Sequence, residues 1–315
     1  MNITNLESSM KGAIVGSLIG DSLGYPYTNK KTLPSKVRFI TGPSGEAPGT
    51  YQGPSTLMLC TMDSMNEFKF LDTGDIMEKF NDFLIAGYLG SSENCSDLSD
   101  VTISALKHYN NGMPPDRCGM KTNNDGECLA RILPIALHSA DEHIDVIVEK
   151  AHLICDITHS ETLAKVACAV YCLIVKTILK QKPEKVFDLL ADYYATRRQP
   201  DYLKQLELLR SGKDNVELMN KNTIIGCFWS AWTAYSQFED DFKLCVTSAI
   251  ASYPQDANTV GSIAGGLSGL SCGIRQMPTE WLNFVVLSSD AMKVIQKFID
   301  NVVKKIKLHS AKVDL

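Results

Sequence analysis

The stretch Gly12-Ala-Ile-Val-Gly-Ser-Leu-Ile-Gly-Asp-Ser-Leu-Gly24 places a glycine at every fourth residue, and Gly261, Gly265, Gly269 and Gly273 repeat that spacing near the other end of the chain. A period of four lines each set along one ridge of an α-helix. Glycine inside a helix is less favourable than alanine by roughly 1 kcal/mol, so two glycine ridges require an offsetting gain. Close approach of two backbones supplies one. If the ridges face each other, i±4 rows predict a crossing near −50° that pins the N-terminal helix to one about 250 residues away.

Between and beyond the ridges, 3.6-residue periodicity predicts helices over Ile76–Tyr88, Asp100–Tyr109, Leu129–His138, Ile144–Cys155, Leu163–Leu179, Val186–Tyr194, Thr223–Tyr235, Phe242–Ser252, Val260–Ile274 and Ala291–Val303. No stretch alternates as a strand does. The sequence therefore predicts an all-α fold. With no composition shift and no repeat of domain-building length, residues 1–315 read as one domain. Thr158-His-Ser-Glu161 reads as a capping box for the helix that follows. Three segments interrupt the pattern: Tyr25–Ser55, with five of the twelve prolines and the cations Lys30, Lys31, Lys36 and Arg38; Asn110–Glu127; and Tyr253–Asn258. If the ridges pack, the first and third segments emerge side by side and form one wall of a site.

Composition narrows the function. The 315 residues are 44% hydrophobic and 21% charged, with a formal net charge of −5, as in ordinary water-soluble globular proteins. This balance leaves no cationic excess for a phosphate backbone, so nucleic acid is not an expected partner. The apolar run Gly12–Gly20 is far shorter than the roughly 20 residues of a membrane span, no signal-peptide pattern precedes it, and a cytoplasmic location is expected. The ten cysteines are scattered without a CxxC, and Cys168 and Cys172 lie in the apolar run Val166–Val175, which reads as buried thiols. There is no P-loop, HExxH, nucleophile elbow or dinucleotide fingerprint, and the six histidines show no metal-ligand spacing. Glu239-Asp240-Asp241 reads as dipole compensation at the start of the next helix.

The opening GxxxGxxxGDxLG pattern resembles that of the ADP-ribosylglycohydrolase family. Further segments match in order. Asp125-Gly-Glu-Cys-Leu-Ala-Arg-Ile-Leu-Pro134 resembles the family's NGxxMRxxP, Ile157-Thr-His159 its TH segment, Asp256-Ala-Asn-Thr-Val-Gly-Ser-Ile-Ala-Gly-Gly266 its DTDTxAxIAG, and Pro278-Thr-Glu-Trp281 its PxxW. The likeness spans about residues 10–285, followed by a C-terminal helix over 290–308. It implies a single orthogonal all-α domain whose cleft binds ADP-ribose. In active members, two magnesium ions assist hydrolysis of an ADP-ribosyl bond.

Against that pattern the ligand set is depleted. Gln52, Gly53, Pro54 and Ser55 stand where the family has Thr-Asp-Asp-Thr, and Asn258 replaces the second acid of Asp-x-Asp-Thr. Thr28 stands where many members carry an acid. Magnesium requires hard oxygen ligands, and one surviving carboxylate, Asp256, does not balance two divalent ions. The expectation is a protein that binds ADP-ribose, a related nucleotide or a partner protein without a two-magnesium reaction, needing no cofactor or at most one magnesium held by Asp256 and Thr259. The alternative is a hydrolase of N- or O-linked ADP-ribosyl groups that uses Asp256 with one metal or none. The resemblance assigns Tyr25, Gln52, Gly53, Ser55, Gly126, Glu127, Cys128, His159, Asn258 and Thr259 to ligand binding. A helix starting near Glu127 is expected to offer amides to a pyrophosphate, with Tyr25 or Tyr51 stacking on a base and Arg131 pairing structurally.

Overall fold

The computed structural model describes residues 3–30, 36–68, 70–91, 97–121, 125–181, 185–215, 217, 219 and 223–313. Among them there are helices and no strand. A lone bridge joins Met120 to His159.

Helix α1 (Ile3–Gly24) lies against α13 (Ala257–Cys272) at the centre of the molecule, and both are buried along most of their length. A methyl group on Gly12, Gly16, Gly20 or Gly24 would strike the carbonyl oxygen of Gly269, Gly265, Gly261 or Ala257, respectively. The two chains thus run antiparallel in one register over four turns. A crossing of 50° would separate the axes laterally by about 7 Å at the ends of such a seam, so the expected steep crossing gives way to a shallow one. Gly273 ends α13 with φ +72 and carries the register one step further, since a Cβ there would meet Ser8 Oγ, while Ala257 faces Gly24 at the other end. Ser17 and Ser262 hydrogen-bond across the seam at 2.7 Å.

The remaining helices wrap this pair. In chain order they are α2 (Gly53–Glu67), α3 (Thr73–Ala86), α4 (Asp100–Asn110), α5 (Glu127–Arg131), α6 (Leu133–Ser139), α7 (Ile144–Asp156), α8 (Thr162–Lys180), α9 (Val186–Thr196), α10 (Pro200–Ser211), α11 (Ile224–Gln237), α12 (Phe242–Ser252), α14 (Thr279–Leu282) and α15 (Ser289–Val313). Helix α8 is long and apolar enough to cross a bilayer, yet most of it is buried inside the fold. Periodicity missed α2 and α10 for opposite reasons. The first ten residues of α2 are all buried, leaving no polar face to define a period, whereas α10 buries only Leu206 and Leu209.

The capping box does not form. Glu161 caps α8 without a side-chain bond, because Thr158 is committed to Arg131 Nη2 and to His159 Nδ1 at 2.7 Å. Asp241 does cap α12, accepting from the Leu244 amide at 2.9 Å. The first and third irregular segments meet as expected: the Asn29 amide donates to the Pro254 carbonyl at 2.7 Å, and the Thr28 hydroxyl to Asn258 Oδ1 at 2.9 Å.

Candidate functional site

A cleft of about 270 Å³ opens at the Gly24 end of the seam. Its walls come from Thr28 and Asn29 after α1, Pro54 at the start of α2, Asp97–Asp100 before α4, Asp125 and Glu127 at α5, and Gln255, Asp256, Asn258 and Thr259 at α13. Among the described residues five carboxylates line it, those of Asp97, Asp100, Asp125, Glu127 and Asp256, and no lysine or arginine does. The lone-aspartate expectation is therefore corrected. The segment Gln52–Ser55 carries no acid, but other segments deliver carboxylates to the cleft.

Asp97 is the clearest case. Its backbone carbonyl lies over Gly53, where a Cβ would collide with it, and one of its carboxylate oxygens accepts from Asn258 Nδ2 at 3.3 Å. Burial raises its pKa. Asp256 sits at the N-terminus of α13, bonded to Thr259 and accepting from Cys227 Sγ at 3.6 Å, and burial raises it to about 7. It is therefore partly protonated at neutral pH.

Asp125 and His159 form a buried pair, with Nε2 to Oδ1 at 2.8 Å. Burial opposes charge on both. The Asp125 carboxylate, by its charge and its hydrogen bond, nevertheless favours the imidazolium and His159 is raised to about 9, while His159 in turn holds Asp125 below the usual carboxylate value. This is an imidazolium–carboxylate pair, and Asp125 also accepts from the Glu127 amide at 3.1 Å. Glu127 turns toward α4 instead of its own helix. It accepts from the Ser99 amide at 2.9 Å, the Ser99 hydroxyl at 3.0 Å and the Thr102 hydroxyl. Burial, then the nearby Asp125 charge, raise it to about 7.

Of the residues expected to bind ligand, Glu127, Asn258 and Thr259 line the cleft together with Asp256. The others stand outside its lining. Gln52 and Ser55 are buried, and their amides donate to Asp21 at 2.9 and 3.3 Å. Gly53 lies beneath Asp97, and Gly126 packs against Cys227 and Thr259. His159 has no exposed surface and supports Asp125 from behind. Cys128 is buried among other thiols. Tyr25 donates to Glu46 at 3.2 Å, and Tyr51 is a core residue bonded to the Leu89 carbonyl at 2.8 Å, which removes it as a stacking platform. The expected pyrophosphate seat at α5 is also corrected, because that helix has five residues and the Glu127 amide is already taken by Asp125. Arg131 does pair structurally, donating to the Ile154 carbonyl at 3.0 Å and to Thr158.

Sequence reasoning overlooked Asp97 and undervalued Asp125. Asp97 belongs to no recognisable motif. Asp125 was visible two residues before Glu127, and its partnership with His159 joins positions 34 apart.

Comparison with known proteins follows the same lines. ADP-ribosylarginine hydrolase Tri1 of Pseudomonas putida (strain GB-1) is 23% identical, over 92% of this chain and 77% of its own. A solved structure described as an ADP-ribosylglycohydrolase-related protein complex superposes with a TM-score of 0.74 at 21% identity, covering 96% of this chain and 99% of that one. This second likeness speaks to the fold. The ADP-ribosylglycohydrolase profile matches residues 2–311, nearly the whole length over which the seam and its cleft are built, and the chain belongs to that family.

Proposed function

We propose that the cleft takes the ribose end of an ADP-ribosyl group, free or attached to a protein, and holds it without a pair of magnesium ions. The observation that carries this reading is the state of the carboxylates. Asp125 is bound to His159, Glu127 to Ser99 and Thr102, and Asp97 to Asn258. Among the described residues, no three acidic or histidine side chains bring ligand atoms within 4.8 Å of one another. A magnesium pair needs several hard oxygens converging on two centres, so this donor set does not fit it. At most one ion finds ligands, at Asp256 and Thr259.

Charge sets the orientation. Five carboxylates with no balancing cation among the described residues of the lining repel a pyrophosphate and favour sugar hydroxyls or a cationic acceptor such as a guanidinium. The phosphates then lie outside, toward the segment bearing Lys30, Lys36 and Arg38. Incubation with ADP-ribosylated arginine tests the reading. Equal and negligible release of ADP-ribose in magnesium and in EDTA is expected, and strong magnesium-dependent release contradicts it.

Asp256 supports a second reading, hydrolysis with one metal or none. A cleft-lining carboxyl with a pKa of about 7 holds a proton that it is able to give or take at neutral pH. Metal-independent release abolished by Asp256→Ala establishes that reading, and an unchanged rate in the variant removes it.

A further inference from the structure

Behind the cleft wall, three helices converge on a group of cysteines that takes no part in the proposed binding. Cys128 is the second residue of α5, Cys155 lies in the last turn of α7, and Cys168 lies in the second turn of α8. All three side chains are fully buried, and their sulfurs lie within 4.8 Å of one another. We propose that Cys128, Cys155 and Cys168 form a metal site that holds one thiophilic d10 cation, zinc(II) or copper(I), as three thiolates.

Three observations carry it. The first is spacing. Metal–sulfur bonds of about 2.3 Å place thiolates roughly 3.8 Å apart around a common centre, a contraction that side-chain rotation supplies from the separation seen here. The His159 carbonyl oxygen, 3.3 Å from Cys155 Sγ, is the nearest further donor.

The second is a buried cation, Arg131, whose guanidinium lies 5.5 Å from the Phe80 ring centroid and has no carboxylate partner among the described residues. Arg131 lies three residues after Cys128 and is fully buried. Its Nη2 is held by the Ile154 carbonyl next to Cys155 and by Thr158, while Nε and Nη1 have no hydrogen-bond partner among the described residues. A sealed guanidinium in that state calls for nearby negative charge. Three thiolates and a divalent ion sum to −1, which Arg131 neutralises. The imidazolium of His159 is already matched by Asp125.

The third is the thiols' own chemistry. Cation entry breaks three S–H bonds, sends three protons to solvent and changes no oxidation state. Soft sulfur ligands select zinc or copper(I) over magnesium, which keeps this site chemically distinct from the cleft.

The test uses the full-length protein, reduced, stripped with chelator and titrated without oxygen with Zn²⁺, Cu⁺, Co²⁺ as a chromophoric probe, and Mg²⁺ as a control. One equivalent of thiophilic ion is expected per chain, with a thiolate-to-metal charge-transfer band, proton release and a raised Tm; Mg²⁺ produces none of these. The larger Tm rise identifies the ion, and charge balance predicts zinc. Cys128→Ser and Cys168→Ser are expected to weaken binding roughly tenfold or more, while Cys172→Ser, one turn further along α8, leaves it intact. Absence of the band with every thiophilic ion, a disulfide within the trio in the purified protein, or unchanged affinity in both cluster variants overturns the proposal. The wild-type titration decides alone if those variants do not fold.

Discussion

Along the seam of α1 and α13, small residues meet turn by turn in one fixed register, whereas just past its Gly24 end side chains from five separate segments share a single cleft. The seam is built from backbone, so its specification is local and repetitive: a Cβ on any of Gly12, Gly16, Gly20, Gly24, Gly261, Gly265 or Gly269 strikes a main-chain carbonyl. The cleft is built from side chains at loop ends, where one segment substitutes for another. Gly53 and Pro54 supply no acid, but Asp97 crosses over Gly53 and brings one. The seam glycines leave no room for a side chain, while the cleft beside them draws its carboxylates from several segments.

Gly20→Val should break the seam most severely. The new side chain meets the Gly261 carbonyl across an interface where neither backbone has room to move. Overpacking against main chain is expected to lose about 5 kcal/mol or prevent folding, measured by urea denaturation. A loss below about 1 kcal/mol in that experiment means that the register is wrong.

His159→Phe should rank next. It leaves the Asp125 carboxylate buried without its imidazolium partner, with an expected loss of about 3 kcal/mol. The double variant with Asp125→Leu should recover part of that loss. Failure to recover separates a packing role from the charge pairing.

Asp21→Asn sharpens the comparison through pH. Burial raises Asp21 from 3.8 to about 7, so the folded chain retains a proton that the unfolded chain releases between those values. Stability in that window therefore falls as pH rises, by up to about 1.4 kcal/mol per pH unit for each such group. The variant should flatten the slope by one group. Asp256 and Glu127, also near 7, should keep the remainder. A slope identical to wild type from pH 4 to 7 refutes the assignment.

Asn258→Asp has the smallest expected effect. It replaces the amide that donates to Asp97 with a second carboxylate, at a cost of about 1 kcal/mol without metal. Magnesium should restore the loss in the variant and do nothing for wild type. An equal magnesium effect on both chains means that the wild-type cleft already binds the ion.

The seam and most helices were legible in the sequence because a four-residue glycine period and a 3.6-residue apolar period are local signals. The helix Gly53–Glu67 was not, since burial on all sides erases the period that exposes it. The cleft was legible only where its residues sit in the motif at Asp256–Thr259. Asp97 carries no local signal, and its place beside Asn258 is set by a path between residues 161 apart. Counting acids within motifs therefore gave one carboxylate where the fold assembles five around the cleft. The proposal that no magnesium pair is held therefore rests on different grounds from a motif count: Asp97, Asp125 and Glu127 are bound to other partners.

The central claim is that an ADP-ribosyl ligand binds here without a magnesium pair, and thermal denaturation with ADP-ribose in EDTA and in saturating Mg²⁺ tests it most directly. Any ligand that binds only the folded chain raises Tm, by an amount equivalent to about 2.7 kcal/mol at one hundred times Kd. The account predicts the same rise in both buffers and no shift from Mg²⁺ alone. A rise that requires Mg²⁺, with two ions bound per chain, contradicts it.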